Sequence, residues 1–77
     1  MGQLYFHCSS PKGVLIDRRG TAIRDLGEAK AHAVDVVRSL LGTRGSEDWR
    51  RWVLHVRDDL GDEMFVMPFA FVLSKPH

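Results

Sequence analysis

The sequence is poor in most of the features that announce a biochemical class. Its 77 residues include a single cysteine, Cys8, so no disulfide forms within the chain, and a reducing, cytoplasmic setting is expected. Neither sign of charge is in excess. Eleven Lys and Arg against ten Asp and Glu leave a formal net charge of +1, which argues against a basic nucleic-acid tail and against an acidic disordered one. Long hydrophobic runs are also missing. The longest apolar stretch, residues 64–73, is interrupted by Pro68 and is too short to span a bilayer, so no membrane association is expected. The opening Met1-Gly2-Gln3-Leu4-Tyr5-Phe6-His7 has no basic segment followed by an apolar one, unlike a signal peptide.

Chemical motifs are equally sparse. Gly13, Gly20 and Gly27 do not fall into a nucleotide-binding spacing. The histidines His7, His32, His55 and His77, together with Cys8, form no short-spaced ligand pair, and the adjacent His7 and Cys8 point to opposite faces of a strand. No metal and no cofactor are expected. Cys8 shares the strand phase of Leu4 and Phe6 and reads as a small packed hydrophobe, not a nucleophile. Asp58, Asp59, Asp62 and Glu63 crowd into one turn, where Asx-turn bonding and solvation are the expected roles. No residue is assigned a catalytic role. A concave site joining His7, His55 and an acidic residue would strengthen the case for an enzyme.

What the sequence does contain is a patterned small domain. Residues 4–8 and 14–16 read as two short strands, separated by Ser9-Ser10-Pro11-Lys12-Gly13 and closed by Asp17-Arg18-Arg19-Gly20. Asp25 and Glu28 have the spacing of a capping box. Leu26, Ala29, Ala33, Val36, Val37 and Leu40 then form one apolar stripe, widened by Val34 and Leu41, so a helix is predicted over 26–41 with Gly42 as its stop. A loop is expected at 42–48. A strand is expected at 49–57, with Trp52, Leu54 and Val56 on one face and Arg51, Val53, His55 and Arg57 on the other. A hairpin turn containing Gly61 leads into a fourth strand at 63–68. The predicted fold is α+β, a two-layer ββαββ unit in which one helix packs on a mostly antiparallel sheet, with residues 1–77 forming a single domain. Leu26, Ala33, Val37 and Leu40 should be buried with Phe6, Leu54 and Val56.

Two surfaces attract attention. Residues 64–73 offer bulky apolar groups at both strand phases, where a sheet with one bare face would alternate. If Met64 and Val66 face the helix, then Phe65 and Met67, continued by Phe69 and Phe71, form an interface, most simply that of a homodimer. The competing arrangement breaks the strand at Pro68 and folds 69–73 back within one chain as a short lid over the exposed face. The second surface is basic: Arg50, Arg51, His55 and Arg57 lie on or beside one strand near Trp49 and Trp52, a composition compatible with nucleic-acid contact. Against that reading, Trp52 shares the core phase, and Asp17, Asp48, Asp58 and Asp59 offset the positive charge.

The ordered set Tyr5-Phe6-His7, Asp17-x-x-Gly20, Asp25-Leu26-x-x-Ala29, Trp52-x-Leu54-x-Val56-Arg57-Asp58 and Pro68-Phe69-Ala70 resembles a family of short alphaproteobacterial proteins, common in rhizobia, catalogued as a domain of unknown function. Leu4 and Cys8 depart from its usual aromatic and aliphatic residues. The resemblance implies a compact ββαββ protein and carries over no catalytic residue. Asp25-Leu26-Gly27-Glu28-Ala29 is also similar to the start of a helix in antitoxin domains of bacterial toxin–antitoxin pairs. The expectation that follows is a non-catalytic scaffold or protein-interaction domain. A nucleic-acid-associated or antitoxin-like regulator is the first alternative and a small enzyme the second.

Overall fold

The structure, a computed structural model, describes residues 2–43 and 48–73. It is an α+β fold in which helices cover one face of a five-stranded, antiparallel sheet. The strands are β1 (Gly2–Ser10), β2 (Gly13–Leu15), β3 (Thr21–Ile23), β4 (Val53–Asp58) and β5 (Glu63–Pro68). The helices are α1 (Leu26–Thr43) and the short α2 (Phe69–Leu73), and a 3-10 turn occupies Trp49–Arg51. The sheet runs β2-β1-β4-β5, and β3 also pairs with β1.

β1 is long enough to serve two partners along one side. Residues 8–10 pair with β2 and residues 2–4 with β3, leaving a gap opposite residues 5–7. Asp17 fills it. Its Oδ2 accepts the Phe6 backbone N–H at 3.1 Å, and its Oδ1 accepts those of Arg19 and Gly20 at 3.1 and 3.0 Å. Gly20 sits at φ +73°, and a Cβ there would lie 2.9 Å from the side chains of Gln3 and Tyr5. The tight turn therefore requires glycine. β3, absent from the sequence-based expectation, exists because this turn returns the chain to the edge of β1.

α1 begins as the capping pattern predicts. Asp25 Oδ1 accepts the Glu28 N–H at 2.8 Å, and Glu28 reaches back to the Arg24 N–H at 3.2 Å and to its guanidinium at 3.0 Å. Gly42 does not stop the helix, which runs on to Thr43. The loop expected at 42–48 lies mainly outside the described residues. Ala29, Ala33 and Val37 are buried against the sheet, whereas Leu26, expected in the core, is 44% exposed. Its place in the first turn lies beyond the stripe that the sheet covers. Leu40 packs at the margin of the core.

The core consists of Leu4, Phe6 and Cys8 from β1, Ile23 from β3, Leu54 and Val56 from β4, Met67 from β5 and Ala29, Ala33 and Val37 from α1, closed at one end by Trp49, Trp52 and Phe69. This arrangement corrects the phase expected for β5. Register pairs Leu54 with Met67 and Val56 with Phe65, so Phe65 and Met67 face the helix while Met64 and Val66 turn away. Strand character at 49–52 is also corrected. Asp48 caps the turn by accepting the Arg50 N–H, which diverts the chain into a 3-10 turn until β4 starts at Val53. The turn between β4 and β5 is built as its residues predict. Asp58 Oδ1 accepts the N–H groups of Leu60 and Asp62 at 2.9 Å each, and Gly61 takes φ +87°.

Candidate functional site

Because the helices lie on one side, the described residues leave the other face of the sheet uncovered. Strand alternation assigns its occupants: Tyr5, His7 and Ser9 from β1, Val53, His55 and Arg57 from β4, and Val66 from β5. His7 lies directly opposite His55, and Ser9 opposite Val53. The convergence of the two histidines, conditional at the level of sequence, is therefore realised.

Both rings are held by hydrogen bonds that fix their tautomers. His7 Nδ1 accepts the Asp17 backbone N–H at 3.0 Å, so the neutral ring carries its proton on Nε2. His55 stands between Ser9 and Glu63: Nδ1 is 2.8 Å from Glu63 Oε1, and Nε2 is 2.8 Å from Ser9 Oγ. An ionised carboxylate only accepts, so Nδ1–H donates to Glu63, and in the neutral ring Nε2 receives the Ser9 hydroxyl. Strict alternation from the inward Phe65 would turn Glu63 toward the helix. A bulge intervenes, since pairing jumps from Val56↔Phe65 to Arg57↔Glu63. It re-aims the carboxylate onto the open face, a known use of bulges.

A hollow of about 450 Å³ lies beside the serine, lined by His7, Cys8, Ser9, Val14, Ile16, His55 and Arg57. Tyr5 stacks near His7, with ring centroids 6.3 Å apart, and Arg57 Nη1 reaches the Gly61 carbonyl at 3.4 Å. Among the described residues no group of three or more His, Cys, Asp or Glu is placed to hold a metal ion. No helix among them is long and apolar enough to cross a membrane.

Two neighbouring groups titrate abnormally. Partial burial raises the Asp17 carboxyl, but the N–H groups of Gly20, Phe6 and Arg19, aided by His7, outweigh it and hold the carboxyl below its ordinary range. Burial, assisted by the negative charge of Asp17, pushes the Cys8 thiol up to about 11. Cys8 is thus a packed, protonated thiol despite reaching the hollow. Its alkylation by iodoacetamide at pH 8, followed by mass spectrometry, should run at least about 100-fold slower in the folded protein than in urea. Comparable rates in both would show that the thiol is open to solvent.

The other sequence-derived surfaces divide. Met67 and Phe69 are buried, Phe65 packs against the core, and Phe71 is 57% exposed on α2. Of the four residues expected at an interface, Phe71 is the one left largely exposed; α2 packs beside α1 and the 3-10 turn, on the covered side of the sheet, and so is not a lid over the open face. The basic set is split as well. His55 and Arg57 lie on the open face, while Arg50 and Arg51 occupy the 3-10 turn. There Arg50 Nε and Nη2 donate to Asp48 at 3.1 and 3.2 Å, holding the Asp48 carboxyl at about 2. Ser9 and Glu63 were not legible as site residues. Ser9, read in the sequence as part of a turn, extends β1 in the strand phase of His7, which is the signal that could have found it.

Residues 3–70 match the model of a family described as a domain of unknown function, DUF6894. That span is most of the chain, and the protein belongs to this family. No curated protein and no solved structure matches it significantly.

Proposed function

We propose that this DUF6894 domain is a protein-interaction module that assembles with a second copy of itself by pairing the free edges of two β5 strands. The observation that supports this reading is the end of the sheet. β5 is hydrogen-bonded to β4 on one side and is the last strand in the order, so among the described residues no strand pairs with its other side. Such an edge is a template for another strand. Met64 and Val66 on this strand are 39% and 47% exposed, and a two-fold antiparallel pairing covers part of both. That geometry is isologous and closes at two copies. It leaves the open sheet face accessible, because strands join edge to edge. The buried, protonated Cys8 and the family resemblance favour the cytoplasm of an alphaproteobacterium as its setting.

Sedimentation across a concentration series should give a particle of twice 8.8 kDa at high micromolar concentration. Val66→Lys should return it to a folded monomer, because a charge on an edge strand opposes pairing. A wild-type protein that stays at 8.8 kDa defeats the reading. Salt-sensitive binding of an oligonucleotide pool, lost in Arg57→Glu, would move the function toward nucleic acid instead.

A further inference from the structure

The hydrogen-bonded series Ser9, His55 and Glu63 goes beyond an interaction surface. We propose that Ser9 is an activated nucleophile that accepts the acyl group of a small ester bound in the adjoining hollow. The proposal does not require pairing through β5: Ser9 and His55 lie on inner strands, and Glu63, although on β5, is turned by the bulge onto the sheet face.

Three features carry it. The first is order and polarity. The hydroxyl donates to Nε2 and Nδ1 donates to the carboxylate, each across 2.8 Å, which is the arrangement in which an imidazole takes a serine proton while a carboxylate orients the ring and stabilises its charged form. The second is construction from three strands. Ser9 comes from β1, His55 from β4 and Glu63 from β5, and the bulge at Val56/Arg57 is what brings the carboxylate round. A surface pair formed by chance on regular strands needs no such irregularity. The third is the hollow, which has Arg57 and His7 among its walls beside Ser9, with Val14 and Ile16 as apolar surface. His7 lies two residues before Ser9 on the same face, about 7 Å away by strand rise. Its Nδ1 accepts the Asp17 N–H, so Nε2 of the neutral ring carries a donor.

The chemistry balances without any added reagent. Ser9 Oγ forms a bond to the ester carbonyl carbon as its proton passes to His55 Nε2, and the oxyanion develops in the hollow that His7 and Arg57 line. Collapse breaks the carbon–oxygen bond to the leaving alcohol, which takes the proton from His55. Water then attacks acyl-Ser9 with His55 as base, releasing a carboxylic acid and restoring the hydroxyl. The shallow, open hollow favours small esters with good leaving groups over peptides. The backbone donors of β1 are also committed to strand pairing, so no paired-amide oxyanion hole adds to the rate.

The test uses the full chain with p-nitrophenyl acetate and, separately, a fluorophosphonate probe. Expected are p-nitrophenol release with saturation in ester and covalent labelling of Ser9, located by peptide mass spectrometry. Ser9→Ala should abolish labelling, and His55→Gln should slow both reactions by about 100-fold or more. Glu63 acts through His55 as a positioning residue. Glu63→Gln should therefore lower kcat while leaving KM unchanged, a split that a merely structural change does not produce. Circular dichroism confirms that each variant is folded, and the solvent-facing Glu63→Gln serves if His55→Gln is not. Ester hydrolysis that persists in Ser9→Ala, or a folded wild type whose Ser9 stays unlabelled, overturns the proposal.

Discussion

Phe69→Ala is expected to lower the unfolding free energy by about 3–5 kcal/mol, the largest effect of any single truncation outside the sheet. Phe69 has no exposed surface. Its ring lies 5.4 Å from Trp49 and 6.3 Å from Trp52, and its N–H donates to the Trp52 carbonyl at 2.9 Å. One side chain thus fastens α2 and the 3-10 turn to the end of the core. A small domain has only about 5–15 kcal/mol in total, so the variant should be largely unfolded under mild conditions. Urea titration followed by tryptophan fluorescence measures this directly, because both indoles border the site. The same measurement separates a core role from an interface role. If Phe69 acted chiefly between copies, the loss would vanish on dilution, whereas a core residue gives a loss independent of concentration. A concentration-independent loss below about 1 kcal/mol would remove Phe69 from the centre of the packing.

The second large effect is expected at Asp17. Asp17→Ala strips acceptors from the N–H groups of Phe6, Arg19 and Gly20, and the first of these lies in the gap between β2 and β3 where no strand replaces it. Loss of about 2–4 kcal/mol follows, since bonds to a charged acceptor contribute more than neutral ones and an orphaned N–H adds its own cost. Asp17→Asn keeps an acceptor oxygen and loses the charge, so it should fall between. The folded carboxyl is held below its ordinary value. Its stabilisation is therefore fully present above the unfolded value of about 3.9 and disappears as pH falls through the folded value. The gap between wild type and Asp17→Asn should narrow steadily as pH is lowered below about 4, as read from urea midpoints. A gap that is constant with pH would mean that the carboxylate charge is not what the turn uses.

The parts of the fold that were legible in the sequence are those encoded by local chemistry. The Asp25 and Glu28 cap, the α1 stripe and the Asp58 turn each depend on residues within a few positions of one another, and each forms as its side chains dictate. β5 shows where that stops. Met64, Phe65, Val66 and Met67 are apolar at every position, so alternation contains no information about which pair faces the core. Only the register with Leu54 and Val56 decides it, and register is a property of distant segments. β3 has no signal of its own in Thr21-Ala22-Ile23, being a strand because β1 lies beside it. At Trp49–Arg51 the aromatic and cationic side chains suggest a strand, and the Asp48 cap overrides them.

The candidate site divides along the same line. His7, Ser9 and His55 could be put on one face from alternation once β1 and β4 were paired. Glu63 could not, because its direction depends on one extra residue in β5 opposite Arg57. The acids around Asp58 looked like a uniform solvated cluster, yet Asp58 closes the turn while Glu63 holds an imidazole. Residue type and spacing are alike for both, and the difference arises from where a hairpin loses its regularity.

The divided side of β1 has a bearing on how far any association can spread. Two three-residue strands, parted by the Asp17 turn, offer an incoming chain no uninterrupted ladder, whereas β5 offers a regular stretch from Phe65 to Met67 between its bulge and Pro68. In polymer terms, if copies pair through β5 as proposed, the described sheet acts as a monofunctional unit, which can terminate but not propagate. Joining two such units consumes both, so fibre growth through the sheet has no next step. A substitution that straightened residues 16–20 into a continuous strand would make the unit bifunctional and expose it to open-ended growth.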